Sequence, residues 1–538
     1  MYSIDHLHKL ILVNQDVDLI NSFYPDTKSD IALDVNYSFD LPVEVIQTGI
    51  LYSVKNSSNV LYRLFFTQLP VINIYSGAIV DEPKVLASFK LVESNGNIIT
   101  SDIGIEYRGA WAQTQPKKPY RIEFWTDKTG KSTHDVSLLG MRSDDDWNLQ
   151  AMYNEPMRIR SKTNNDLWKK IHTVYYQRSE PDAVNGITMK YAELFLNDEY
   201  KGVFCVGEPM DRKQLKLKKH NGSIRGEMYK GIHWGDNAKL NGVEPFDNNS
   251  LIWGSFEYEH PEEEIDWQNL YDFVYFAAYS STDVFNEEYK ARFDVDNAVD
   301  YFLFLNLLRA TDNQSKNIFI AKYNEGEPYF YAPWDLDGTY GVIWDGSKED
   351  ETNDILTNNF YTRMRQDYSE DGFVQKLERR WSALRSTIIT KPAILKMFEE
   401  SYDYLYFNGV YEREHLVWPS FSPAVETEFT YMSNWLERRL KYLDEVFNYN
   451  PSNLIGSPLA NHIKLYPNPT QHGFFVRGIE ASTSLIITDL GGRIVFSQTV
   501  SNDEYVSVNL LPEGVYVVNI QSSNGCVKKK IIKHGRGE

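Results

Sequence analysis

The sequence predicts an α+β chain: a strand-rich first part, a mostly helical second part and a small all-β domain at the end. Three observations carry this. Apolar and polar residues alternate between Phe66 and Phe124 and again between Tyr191 and Glu208, the period of half-buried strands. From Asp296 to Leu308 and from Gly372 to Asn448 the pattern changes to helical spacing. Residues 460 to 534 return to short alternating runs between turns, such as Leu485-Ile486-Ile487-Thr488 and Gly514-Val515-Tyr516-Val517-Val518, as in a β-sandwich. The expected divisions are a strand-rich segment of unread role (1–66), the main domain (67–449), a Pro- and Ser-containing linker (450–459) and the terminal sandwich (460–538).

In chain order, Phe66–Ile74, Leu86–Leu91 and Ile103–Arg108 read as antiparallel strands. Arg108-Gly109-Ala110-Trp111 opens a loop that leads through Lys117-Lys118-Pro119 into the strand Tyr120–Phe124. A phosphate-covering loop followed by a phosphate-binding lysine has this order; a basic turn at a strand edge has it too. Gly130-Lys131-Ser132 imitates the end of a Walker A loop, but the position of its first glycine is Trp125, so a hairpin turn is expected. Asn154–Ile171 reads as a helix, Tyr191–Glu208 as a hairpin turning at Asn197-Asp198-Glu199, and Asp211–Lys219 as a solvated basic face. Glu262–Ser281 and Asp296–Leu308 read as helices, the second apolar enough to be buried.

Composition removes several function classes. A net charge of −20 disfavours nucleic acid or anionic membrane as the main partner, since phosphate backbones require clustered Lys and Arg. Two cysteines, Cys205 and Cys526, give neither a disulfide framework nor a zinc spacing. No apolar run approaches the ~20 residues of a membrane helix. The opening Met1-Tyr2-Ser3-Ile4-Asp5 has no basic n-region or apolar h-region, so no signal peptide is expected in the sequence as it stands.

Chemistry concentrates between Asp312 and Gly341. Ile318-Phe319-Ile320 and Tyr329-Phe330-Tyr331, with Asn324-Glu325-Gly326 between them, read as a β-hairpin. Asp312 and Asn317 precede its first strand, and Asp335 and Asp337 follow its second. A hairpin brings its open ends together, so Asn317 and Asp335 should be neighbours with Asp312 beside them. In extended backbone Asp335 and Asp337 would point to one side. Hard oxygen donors converging in this way favour Mg²⁺ or Mn²⁺ over zinc. Any one of the four could simply cap a strand end; all four at one hairpin mouth favour a site.

The spacing matches protein kinases, which place a catalytic Asp, four residues, a metal-binding Asn, a strand pair and then a second metal-binding Asp near Gly. Here these are Asp312-x-x-x-x-Asn317 and Trp334-Asp335-Leu336-Asp337-Gly338, with Ala310-Thr311 where His-Arg is usual. Residues 68 to 445 resemble the CotH family of spore-coat kinase-like proteins. The resemblance rests on five blocks in order: Arg108-Gly109 with Lys117-Lys118-Pro119-Tyr120; Leu138-Leu139-Gly140 before Asp146-Trp147-Asn148-Leu149; Leu196-Asn197-x-x-Tyr200-x-Gly202-Val203-Phe204 before Glu208; Asp312–Asn317; and Pro333–Gly338.

This resemblance implies an atypical protein-kinase-like fold and transfer of phosphate from ATP to Ser or Thr of a protein substrate. It makes Asp312 the catalytic base, with Asn317 and Asp335 metal ligands for Mg²⁺ or Mn²⁺ and Asp337 an auxiliary. Arg108 and Lys117, or the adjacent Lys118, would face nucleotide phosphates, and Glu208 would lie near the nucleotide. The acid that pairs with the lysine is open; Glu155 is one candidate. Ala112 stands where many members carry a small hydroxyl residue.

Residues 460 to 534 resemble the C-terminal sorting domain of the Bacteroidetes type IX secretion system, through Leu465-Tyr466-Pro467-Asn468-Pro469, Ile487-Thr488-Asp489-Leu490-Gly491-Gly492-Arg493 and Leu511-Pro512-x-Gly514-Val515-Tyr516. That implies the type IX machinery as a partner and a secreted or surface location. Two alternatives stay open: a surface binding module that kept the fold without activity, and a kinase-fold enzyme that transfers another group, such as AMP.

Overall fold

A computed structural model of the chain describes residues 1–449, 463–479, 482–489, 493–522 and 525–534. The linker expected at 450–459 lies outside the described residues. The chain is mixed α+β and separates into two compact units, Met1–Val374 with Lys391–Leu440, and Gln375–Thr390 with Lys441–Glu538.

In the first unit, the segment read as strand-rich forms a six-stranded sheet. Its order is Tyr2–Asp5, Leu10–Asn14, Leu61–Thr67, Tyr52–Asn56, Asn36–Val43 and Lys28–Ala32. Val13, Tyr37, Val54, Leu64 and Phe66 fill one face.

The alternating runs from 71 to 207 close into a seven-stranded barrel. Around it run Tyr120–Trp125, Asp146–Gln150, Glu199–Gly207, Met189–Leu196, Val71–Ser76, Val85–Val92 and Ile98–Tyr107, the last pairing back onto the first. Ile72, Phe89, Ile105, Ile122, Trp147, Leu194 and Phe204 are its interior. Closure removes the exposed edges that so long a run of strands would otherwise leave. Residues 126–132 are a turn, Thr126 N–H donating to Ser132 at 2.9 Å.

The helix expected from Asn154 begins instead at Arg160 and ends at Ile171. Residues 152–159 are held as a turn by Arg158, whose guanidinium donates to the Tyr153 and Glu155 carbonyls at 2.6 and 2.8 Å. The Glu155 carboxylate then accepts from the N–H groups of Ile159 and Arg160, capping the helix start where negative charge is favoured.

The second half is not purely helical. The predicted hairpin lies at the edge of a five-stranded sheet: Ile252–Trp253, Phe256–His260, Glu227–Gly231, Ile318–Lys322 and Tyr329–Pro333. The helix Val295–Leu308 is buried along nearly its whole length. It packs on the hairpin, Asn297 donating to the Tyr331 carbonyl at 2.9 Å and accepting from its N–H at 2.7 Å.

In the second unit the terminal segment has two sheets, one of Lys464–Tyr466, Gly473–Arg477 and Glu504–Ser507, the other of Ile494–Val500, Thr483–Thr488, Gly514–Ser522 and Gly525–Lys533. Phe474, Leu485, Ile487, Val518 and Ile520 are buried between them. Lys528 and Lys530 lie exposed on the edge strand.

Candidate functional site

The hairpin places its open ends as its pairing requires. Ile318 stands opposite Pro333, and Trp334 N–H donates to the Asn317 carbonyl at 3.1 Å. Asn317 and Asp335 therefore sit side by side, with Nδ2 of the amide 3.4 Å from Oδ2 of the carboxylate. Both residues are left-handed, at φ of 54° and 56°. Such backbone is uncommon for side-chain-bearing residues and collects at functional sites when its surroundings enforce it.

The enforcing group is Asn313, which sequence reasoning passed over. Its buried amide donates to the Asn317 carbonyl at 2.8 Å and the Trp334 carbonyl at 2.6 Å. Its own carbonyl accepts from the Tyr301 hydroxyl at 2.9 Å, tying it to the buried helix. One clue was available: Asn313 lies inside the Asp-x4-Asn span.

Asp312 is on a short 3₁₀ turn, Thr311–Gln314, and pairs with Lys316 at 3.2 Å. Asp335 has solvent contact at the mouth. Its carboxyl is nonetheless raised above the ordinary range by the protein packed around it; Arg108 opposes the rise and Asp312 adds to it. The positive charges of Lys316 and Lys230, neither singled out from sequence, also oppose the rise. The Arg108 guanidinium stacks on the Trp334 ring, 5.4 Å from its centroid.

The oxygens of Asp312, Asp335 and Asp337 do not all gather within 4.8 Å of one another. Among the described residues, only Asp135, Asp144 and Asp145 do, and Lys213 and Arg142 already lie 2.6 to 2.8 Å from that trio's Asp144 and Asp145. The Asp337 carboxyl is raised well above its usual value, first by burial and then by Asp335 and Glu155. Its loop is fixed by Asn164, which donates to the Leu336 carbonyl at 2.9 Å and the Thr339 hydroxyl at 3.0 Å.

The remaining residues have partners of their own. Lys117 is fully enclosed: Nζ lies 2.6 Å from both Glu414 Oε1 and the Val203 carbonyl, and 4.8 Å from the centroid of the Phe204 ring. Its acid is Glu414, on the helix Val410–Val417, and not Glu155, which pairs with Arg160. Burial pushes the Lys117 amine down to about 8 despite Glu414. Lys118 donates to the carbonyls of Gln113 and Gln115 and so holds its own loop. The Glu208 carboxylate accepts from Thr188 N–H, Gln214 Nε2 and Arg142 N–H at 2.8, 3.0 and 3.3 Å, bracing three segments together.

Comparison with known proteins agrees with the sequence blocks. The CotH kinase protein family matches residues 105–443, more than half of the chain, and the chain belongs to that family. The secretion system C-terminal sorting domain matches residues 464–534. That domain implies a secreted or cell-surface protein handled by the type IX machinery. No curated protein matches the chain. Among solved structures, the Twitchin kinase region from C. elegans aligns over 99% of this chain and 81% of its own at 10% identity, with a TM-score of 0.15, too low to bear on the fold. Among the described residues no helix is long and apolar enough to cross a membrane.

Proposed function

We propose that the chain is a secreted or surface-attached atypical protein kinase that transfers the γ-phosphate of ATP to a Ser or Thr hydroxyl of a protein. The observation that carries this reading is the contact of Asn317 with Asp335 at the hairpin mouth, with Asp312 facing the same carboxylate. An amide and carboxylates are hard donors and suit a divalent cation. The carboxyls of Asp335 and Asp337 are raised first by burial, with Asp312 adding to the first and Asp335 to the second, and a bound cation would favour their charged forms. Asn317 and Asp335 would hold Mg²⁺ or Mn²⁺, with Asp337 in support; the ion's chemistry is neutralisation of phosphate charge.

The chain's own contribution is positioning and charge. Arg108 and Lys316 both act on Asp335 through their charge, Lys316 from its pair with Asp312, and we assign them to phosphate oxygens. Lys117 and Lys118 would first have to leave Glu414 and the loop carbonyls. In this reading Lys117 secures the barrel against the helix Val410–Val417, and Glu208 braces the wall. Asp312 would orient the acceptor hydroxyl and take its proton.

The test is incubation with Mn²⁺ or Mg²⁺, γ-labelled ATP and a generic protein acceptor, beside Asp312→Ala. Label transferred by the natural chain and not by the variant supports the kinase. Metal-dependent ATP binding with transfer only from α-labelled ATP supports movement of AMP. A second reading, a binding module without transfer, is favoured by the complete enclosure of Lys117 and the separation of the three carboxylates. It predicts no metal-dependent ATP binding.

A further inference from the structure

A cavity of about 630 Å³ lies apart from the acidic site, within the size range of small-molecule sites. It opens between the helix Arg160–Ile171, the helix Lys391–Tyr406 and the start of the barrel strand Met189–Leu196. The first helix serves two sides. Asn164 holds the Asp337 loop, whereas Lys162, Asp166 and Lys170 line the cavity. Asp166 is two residues past Asn164 and so about 200° round the helix, on the face turned away from that loop.

A dry structural void is lined by apolar groups; this one has buried hydroxyls. Those of Thr163 and Ser401 meet at 3.2 Å. The Tyr191 hydroxyl, on a side chain 3% exposed, makes no hydrogen bond, with Ser401 close enough to act on its charge. Buried polar atoms are nearly always paired, so an orphan hydroxyl on a cavity wall marks a place left for a partner. The Tyr191 and Tyr404 rings, 6.3 Å apart and tilted by 34°, join Met397 as the apolar part of the lining.

Charges of both signs surround these groups. Lys162 is taken by Asp166 at 2.8 Å, and Glu93 accepts from the Asn97 amide. Lys170, Lys190 and Glu400 are exposed, and no ion pair among the described residues engages them. A simple anion would meet Glu400 and Glu93 together with the lysines, and a neutral sugar would leave both signs of charge unmatched.

We propose that this cavity binds a short zwitterionic peptide. Its free carboxylate meets Lys170 and Lys190, its ammonium meets Glu400, and an apolar side chain lies on Tyr191, Tyr404 and Met397. A peptide carbonyl accepts from the orphan Tyr191 hydroxyl. Exposed single charges contribute little each, so selection requires both termini at once. The site is independent of the nucleotide reading given above.

The experiment is calorimetric titration of the full chain with phenylalanyl-alanine and leucyl-alanine, each free, N-acetylated or as the C-terminal amide, and with methyl glucoside. Both free dipeptides should bind, and blocking either end should weaken binding roughly fivefold or more. The double variant Lys170→Gln, Lys190→Gln should shrink the difference between acid and amide. Glu400→Gln should shrink the difference between free and acetylated amine. Tyr191→Phe, which removes only an unpaired hydroxyl, should weaken every form. Failure of both free dipeptides to bind overturns the proposal, and so does equal affinity for free and blocked forms. Losses that the lysine variant inflicts equally on acid and amide also overturn it, since no terminus would then be read. Methyl glucoside bound in place of the dipeptides, and lost in Tyr191→Phe, would make the cavity a sugar site instead.

Discussion

Lys117 and Glu414 form an ion pair of 2.6 Å with neither side chain exposed, although 297 residues separate them. Arg158 reaches the other carboxylate oxygen at 3.2 Å. The neighbouring Arg413 makes a second buried pair, 2.9 Å from Glu193 on the barrel strand Met189–Leu196. Two adjacent residues of one short helix thus anchor opposite charges of the barrel. Gly202 permits the approach: a Cβ there would lie 2.1 Å from Glu414 Oε1.

Removing one partner of such a pair strands a buried charge, which costs about 3–5 kcal/mol. Glu414→Gln, which strands both Lys117 and Arg158, is expected to destabilise the fold by that order in chemical denaturation, and Lys117→Met by less, because Arg158 still neutralises Glu414. The double variant should lose less than the sum of the two. A double-variant loss equal to the sum would show the pair to be uncoupled.

The same lysine predicts a pH dependence. Its folded amine is pushed down to about 8 by burial, against about 10.4 in an unfolded chain. Between those values the unfolded chain binds more protons, so the Lys117 contribution to stability rises with pH across the window and is level below it. Unfolding free energy of the natural chain minus that of Lys117→Met, measured from pH 7 to 10, should climb above pH 8. A flat difference would contradict the assignment.

Asn313 touches no ligand in the proposed reaction, yet it holds both left-handed residues in place. Asn313→Ala takes its donor from the buried Trp334 carbonyl and one of two donors from the Asn317 carbonyl, an expected loss of about 1–3 kcal/mol. It should also abolish the thermal stabilisation by Mn²⁺ with ATP, as Asp335→Asn should. Retention of that stabilisation in Asn313→Ala would separate the clamp from the site.

Asp312 has the opposite signature. Asp312→Ala should lower turnover by roughly 10²- to 10⁴-fold while ATP affinity changes only a few fold, because its assigned role concerns the acceptor hydroxyl. Steady-state rates and calorimetry on one preparation decide this; parallel losses in both would move Asp312 into nucleotide binding.

Export is checked by removing residues 464–534. The shortened protein should stay inside the outer membrane of a type IX-competent host while the full chain reaches the medium or surface, followed by fractionation and immunoblot.

Local order was written in the chain. Alternation at Ile318–Ile320 and Tyr329–Tyr331, with Gly326 between, gives the hairpin, and a hairpin must bring Asn317 to Asp335. The sorting-domain motifs and the CotH blocks were equally local and matched their families. What the sequence could not show depends on closure over long distances. Periodicity says which face of a helix is apolar, but not which charge 297 residues away it will meet. That choice falls to the packing around Lys117, whose full enclosure makes an unpaired amine too costly. The left-handed backbone at Asn317 and Asp335 is likewise enforced by Asn313 and the buried helix behind it, a constraint that exists only once the chain has folded.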